Sequence, residues 1–198
     1  MKQMEMEEIS EEIVNTEAEN EKIPLGEEIL SWIKMLTIVF LIVTFIQTFM
    51  FVSVRVQGMS MYPTLSDGER VILWSLFYEP DALDIVVLEH ETGENYVKRI
   101  IGVPGDTIDY FFGNLYINDN LIHEPYIYSA PSTGWFTLSS ICQFENCYEI
   151  PEDYFLVLGD NRNFSEDSRH IGLINRSQIR GEVTWRYWPI RNLGNVNR

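Results

Sequence analysis

From Met35 to Val52 the sequence reads Met-Leu-Thr-Ile-Val-Phe-Leu-Ile-Val-Thr-Phe-Ile-Gln-Thr-Phe-Met-Phe-Val, with no charged residue. Coiled as a helix, 18 residues rise roughly 27 Å, close to the ~30 Å hydrocarbon core of a bilayer. Ile29, Leu30, Trp32 and Ile33 lengthen the run, and a tryptophan suits the membrane interface. Apolar residues fall on every side of such a helix, unlike the one-sided stripe of a helix packed on a soluble core. No small-x-small cleavage site follows the run before Arg55, which argues against a removed leader. The reading is an uncleaved transmembrane anchor over residues 29–53. Lys34 and Arg55 flank it almost equally, so charge does not set its orientation.

Ahead of the anchor, residues 1–28 hold ten Glu against Lys2 and Lys22, about half of the formal net charge of -16. That segment has few large apolar residues and reads as an acidic, disordered tail. The remaining negative charge argues against nucleic acid, which favours a basic face. Cys142 and Cys147 are the two cysteines. Two ligands do not make a zinc site, so neither a metal nor another cofactor is expected. In an oxidising compartment the pair closes a small disulfide ring; facing the cytosol, it stays as two thiols.

After the anchor, residues 54–198 show short strands and turns with no further long helical period. Arg70–Trp74, Asp84–Glu89, Asn95–Ile101, Thr107–Phe111, Tyr154–Leu158 and Glu182–Tyr187 read as strands. Gly113-Asn114 and Asn118-Asp119-Asn120 read as hairpin turns around Leu115-Tyr116-Ile117. Helix is confined to a turn near Ser177-Gln178-Ile179, and residues 120–150 are an excursion from the main sheet. The fold class is mainly β: a coiled, barrel-like antiparallel domain behind one N-terminal transmembrane helix.

The stretch Gly58-Met59-Ser60-Met61-Tyr62-Pro63-Thr64-Leu65 begins just beyond the anchor. Gly58 permits an unusual backbone path, and Pro63 pushes Tyr62 towards extended geometry. A serine on such a turn can expose its Oγ while its own N–H faces an incoming carbonyl. Taken alone, the same residues merely punctuate a loop. A second stretch, Tyr96-Val97-Lys98-Arg99-Ile100-Ile101, alternates faces as a strand, so one of its two cations turns inward. Burial lowers a lysine pKa and leaves arginine charged, and a neutral lysine beside a serine hydroxyl can act as its general base.

Ser60-Met61-Tyr62-Pro63-Thr64-Leu65, Asp84-Ile85-Val86-Val87, Tyr96 to Asp106, and Gly159-Asp160-Asn161-Arg162 through Asp167-Ser168-Arg169 stand in that order behind the anchor. This arrangement resembles the boxes of the bacterial type I signal peptidases, which are Ser-Lys endopeptidases. The resemblance implies removal of signal peptides from secretory precursors through an acyl-enzyme, with Ser60 as nucleophile and Lys98 as base. It implies that Ser165 orients the lysine, and that Asp160, Arg162, Asp167 and Arg169 form an ion-paired scaffold. The oxyanion hole would take the Ser60 N–H and a backbone N–H near Gly58, a position where many members carry a serine. Where the family usually continues with Asp-Asn after Arg162, this chain has Asn163-Phe164. Met59, Met61, Ile85, Val86 and Tyr96 would wall shallow pockets for small residues at the first and third positions before the cut. The resemblance also implies a single-pass protein of the bacterial plasma membrane, its tail cytoplasmic and its catalytic domain outside.

His90, His123 and His170 could supply the more familiar serine-histidine pairing, but each reads as a surface or loop residue. A LexA-like self-cleaving repressor shares the Ser-Lys chemistry, yet calls for a DNA-binding module where this chain has an acidic tail and an anchor. A membrane-tethered β-domain that binds peptides without cutting them is the alternative of another class; its function would survive loss of Ser60 and Lys98.

Overall fold

Helix α1, Leu25–Phe49, contains the apolar run. Glu27 and Glu28 stand in its first turn, where the helix dipole favours acids. Its segment Gly26–Ile46 is long and apolar enough to cross a membrane. The side chains of residues 26–45 are exposed, Phe40 and Leu41 included. The computed structural model describes residues 25–49, 51–89, 93–127 and 134–196, so the tail reading falls almost wholly outside them, as does His90. Two units make up the chain, Met1–Ile46 and Gln47–Arg198.

The helix does not run on to residue 53. Strand β1, Phe51–Arg55, takes the end of the apolar run and pairs antiparallel with β2, Arg70–Trp74, from Phe51↔Trp74 to Arg55↔Arg70. Val52 and Val54 are β-branched and alternate with Ser53 and Arg55, and pairing with β2 outweighs the continuity of the apolar run.

The main sheet adds β3 (Ile85–Glu89), β4 (Asn95–Gly102), β9 (Tyr154–Leu158), β10 (Ile174–Asn175), β11 (Ile179–Trp188) and β12 (Gly194–Asn195). Its order is β1-β2-β11-β3-β4-β9-β10, with β12 on β11. A second sheet has β5 (Ile108–Phe111), β6 (Asn114–Ile117), β7 (Asn120–Ile122) and β8 (Trp135–Thr137) in the order β7-β6-β5-β8. Every pairing is antiparallel, so the mainly β expectation is met.

The β5–β6 and β6–β7 hairpins turn on Phe112-Gly113 (φ 49° and 88°) and Asn118-Asp119 (φ 50° and 63°). Positive φ at both loop residues matches the twist of the flanking strands. The first turn therefore lies one residue before the expected Gly113-Asn114, and Asn114 and Asn120 belong to strands. The described residues between 120 and 150 also hold more regular structure than their pattern implied, contributing β7, β8 and the short helix α2, Leu138–Ile141. Helix α3, Ser168–Ile171, follows β9, and a 3-10 turn covers Arg176–Gln178.

Strand β3 is buried on both faces. Ile85 and Val87 pack with Met61, Leu65, Val71 and Val183, while Val86 and Leu88 pack with Ile100, Val157 and Ile174. Its neighbour β4 is covered in the same way. Lys98 and Arg99 are consequently both buried, at 4% and 5% exposure, rather than one inward and one outward.

Candidate active site

Ser60 sits on the turn that links β1 to β2. Val56 N–H donates to Glu69 O (2.8 Å) and Gly68 N–H to Val56 O (2.9 Å), closing the base of the loop. Asn161 pins its top: the backbone N–H donates to Ser60 O (2.9 Å), and Nδ2 donates to Met59 O (3.0 Å). Thr64 Oγ1 donates to Asp160 Oδ2 at 2.5 Å. The Asp160-Asn161 corner thus bolts the serine loop to the end of β9.

Lys98 Nζ lies 2.9 Å from Ser60 Oγ. No carboxylate forms an ion pair with it among the described residues. Burial lowers its pKa to about 8; Asp167 and Glu166 pull it back up and Arg169 pushes it down. Its nitrogen is 5.4 Å from the centroid of the Tyr96 ring on the same face of β4. A largely dry amine in contact with a hydroxyl is equipped to take a proton from it.

Arg99, on the opposite face, forms a two-pronged pair with Asp160, Nε to Oδ1 at 2.9 Å and Nη2 to Oδ2 at 2.8 Å. Its Nη1 donates to Leu83 O, and its guanidinium stacks 4.1 Å from the centroid of the Tyr126 ring. Arg162 is held by Glu124 and by Gly159 O, and Arg169 by Asp167. The scaffold expected among Asp160, Arg162, Asp167 and Arg169 therefore contains one internal pair. Arg99 and Glu124 supply the other partners, and the sequence reading missed both. Arg99 was legible as a cation on β4, whereas Glu124 lies 38 residues from Arg162 with no local signal.

Asp167 caps α3 and accepts the Gly159 N–H (3.0 Å) and Arg169 Nε (2.8 Å). Burial alone would raise its pKa, but Arg169, the Gly159 N–H and the nearby Ser165 hydroxyl outweigh it and hold the carboxyl below its ordinary value. Ser168, also unforeseen, accepts the Val157 N–H at 2.9 Å from a fully buried position.

Ser165 is buried beside these groups, but among the described residues its Oγ makes no hydrogen bond of standard geometry, to Lys98 or to any other group. Proximity to Asp167 contributes to the field there without an aligned bond. Gly159 makes room for it: a Cβ at that position would stand 2.3 Å from Ser165 Oγ and 2.5 Å from Ser60 O.

Two expectations need correction. The Gly58 N–H donates to Asp67 Oδ1 at 2.8 Å, so it is already engaged and does not point at an oxyanion. Gly58 has φ +79°, the left-handed region that favours glycine. Met61, Ile85 and Val86 are at most 1% exposed and are packed in the core, because β3 is covered on both faces. Met59 stands exposed at the loop rim. Of the expected pocket residues, Tyr96 lines a cleft of about 530 Å³ with Ser60, Lys98, Val52, Val54 and Val97. A separate cavity of about 370 Å³ shares only Tyr96 with it and contains neither Ser60 nor Lys98.

β1 is an edge strand, and β9 joins β4 only from Arg99 onward. The cleft therefore lies between the outer edge of β1 and the start of β4, a slot suited to an extended peptide. His123 is exposed on a loop and His170 on α3, and neither touches Ser60. The two cysteines are joined, with Cα atoms 6.2 Å apart.

The family profile described as signal peptidase, peptidase S26, matches residues 29–188. Signal peptidase IB of Staphylococcus aureus (strain COL) is 38% identical over 176 residues, covering 83% of this chain and 92% of the relative. Signal peptidase I of Bacillus caldolyticus is 38% identical over 160 residues, covering 76% and 86% respectively. A crystal structure of a signal peptidase I from Enterococcus faecalis V583 is 34% identical, with a TM-score of 0.49 over 54% of this chain and 98% of that one. With the profile spanning most of its length, the chain belongs to the signal peptidase family of serine peptidases, peptidase S26.

Proposed function

We propose that the chain is a membrane-anchored endopeptidase that removes signal peptides from secretory precursors, with Ser60 as nucleophile and neutral Lys98 as general base. The observation that carries this reading is the 2.9 Å contact between a buried amine and the Ser60 hydroxyl at the floor of a peptide-sized cleft. Lys98 takes the Ser60 proton as Oγ attacks the scissile carbonyl, then delivers it to the departing amine. A water, deprotonated by the same amine, hydrolyses the ester and frees Ser60.

The Ser60 N–H makes no hydrogen bond among the described residues and serves the oxyanion. Ser165 and Asp167 shape the surroundings of the lysine: Ser165 packs beside Gly159, and Asp167, paired with Arg169, adds charge near Lys98 without forming an ion pair with it. Val52, Val54 and Val97 offer apolar surface to small side chains of an extended backbone, beside Arg55, Gln57, Glu94 and Asn95 in the same cleft.

Helix α1 holds the enzyme in the bilayer, with the tail in the cytoplasm of a bacterial cell and the β domain outside. The Cys142–Cys147 bridge supports that orientation, since disulfides persist in oxidising compartments. Precursors are anchored in the same membrane by their own apolar segments, which raises the effective concentration of both partners.

The test is cleavage of a precursor peptide carrying alanines at the first and third positions before the cut, by the detergent-solubilised full chain. Wild type is expected to cut once, and Ser60→Ala and Lys98→Met to lose at least about a thousandfold in rate. Equal cutting by all three would remove the reading and leave a peptide-binding domain.

A further inference from the structure

We propose that Gln143, held in place by the Cys142–Cys147 ring, is a positioning residue for the Asp167–Arg169 corner, and that reducing this disulfide slows peptide cleavage. The inference rests on the Ser60–Lys98 reading above and adds a redox dependence to it.

Leu173 is 3% exposed and lies just before β10, which begins only at Ile174. Its backbone is met by a side chain. Leu173 N–H donates to Gln143 Oε1 at 2.9 Å, and Gln143 Nε2 donates to Leu173 O at 3.0 Å. The amide copies the two hydrogen bonds that a neighbouring strand would make. At Gly172 the chain presses so closely on this amide that a Cβ would stand 2.7 Å from Oε1, and its φ is +79°.

Gly172 ends α3, its N–H donating to Ser168 O at 3.1 Å. That single helical turn starts at Asp167, the carboxylate that receives Gly159 and Arg169 and lends charge to Lys98. The turn is therefore clamped at both ends, by Gly159 at the site and by Gln143 away from it. Gln143 itself lies on an exposed loop with no strand on either side. The ring ties its loop down beside it: α2 ends with Cys142 N–H donating to Leu138 O at 2.9 Å, the bond to Cys147 closes the loop, and within the ring Phe144 packs edge-on against Tyr154. Opening the ring restores conformational freedom to the loop and loosens the amide. Nothing in the hydrolytic chemistry uses these residues.

The test is precursor-peptide cleavage by the detergent-solubilised full chain, oxidised or treated with dithiothreitol. The reagent passes two electrons and two protons to the Cys142–Cys147 bond, giving two cysteine thiols and its own cyclic disulfide. Reduction of wild type, and separately Gln143→Ala, are each expected to lower kcat about tenfold while KM changes less than about threefold. Reduction of Gln143→Ala is expected to add nothing, because ring and amide act in series. Gln143→Glu keeps the acceptor for the Leu173 N–H and loses the donor, so it falls between.

The acid limb of the pH profile should move to lower pH in the reduced enzyme, because Asp167 and Glu166 raise the Lys98 pKa and Arg169 lowers it from that corner, while Tyr96 faces the amine from its own strand. Unchanged kcat and pH profile in reduced wild type would overturn the inference, as would an equal further loss on reducing Gln143→Ala. Should Gln143→Ala fail to fold, reduced wild type and Gln143→Glu carry the same comparison. Failure of the underlying reading looks different: oxidised wild type would not cut, or Ser60→Ala would.

Discussion

Lys98→Met should make the protein inactive and more stable at neutral pH. Lys98 is 4% exposed and its pKa falls from 10.5 to about 8 on burial, so below pH 8 the folded state carries a desolvated ammonium. At ~1.4 kcal/mol per pKa unit the cost is ~3 kcal/mol. Methionine has nearly the same length and no charge. Losing the hydrogen bond to Ser60 takes back ~1 kcal/mol, leaving a net gain of ~2 kcal/mol at pH 7. With a urea slope of ~2 kcal/mol per molar, the midpoint should rise by about 1 M.

The sign follows from proton counts. Between the folded value of about 8 and the unfolded value of 10.5, the unfolded chain binds more protons at this site, so wild-type stability rises with pH there. The advantage of the methionine variant is therefore full below pH 8 and gone above about pH 10.5. Urea titrations of both full-length proteins in detergent, followed by tryptophan fluorescence at several pH values, give the difference directly. A methionine variant no more stable than wild type at pH 7, with a difference that does not change with pH, would refute the reasoning.

Gly159→Ala should destabilise the domain by ~2–4 kcal/mol and abolish cleavage, since its Cβ would collide with Ser165 Oγ and with the carbonyl of Ser60; thermal unfolding and peptide cleavage check this. Asp160→Asn leaves the buried Arg99 guanidinium without a counter-charge and should cost ~3–5 kcal/mol in denaturant titration. Ser168→Ala orphans the Val157 N–H and should cost ~1–3 kcal/mol by the same measurement. Glu166→Gln removes a charge that raises the Lys98 pKa, so the acid limb of cleavage should move to lower pH, by less in high salt because Glu166 is exposed.

Strands framed by turn residues were legible in the sequence. Arg70–Trp74 and Tyr154–Leu158 have the bounds that their apolar patterns indicate. β1 was not, because it leaves the apolar helix with no Gly, Pro or charge between them, and only its register with β2 makes it a strand. Alternation on β4 separates Lys98 from Arg99 correctly, but a sheet covered on both faces buries both, and covering layers are a tertiary property. The pairing of Arg162 with Glu124 and the engagement of Gly58 N–H by Asp67 depend on loops meeting in space. Periodicity carries no trace of either. Ser60 and Lys98 stood out as residue types whose chemistry needs a partner, while the pocket walls, being ordinary apolar residues, did not separate from the core.

The most direct measurement is kcat/KM for precursor-peptide cleavage by wild type across pH 6–10. If a neutral Lys98 takes the Ser60 proton, activity should rise tenfold per pH unit on the acid side and level off near pH 8, where the buried amine loses its proton. A profile flat from pH 6 to 9, or an acid limb that persists unchanged in a still-active Lys98→Met enzyme, would contradict that account.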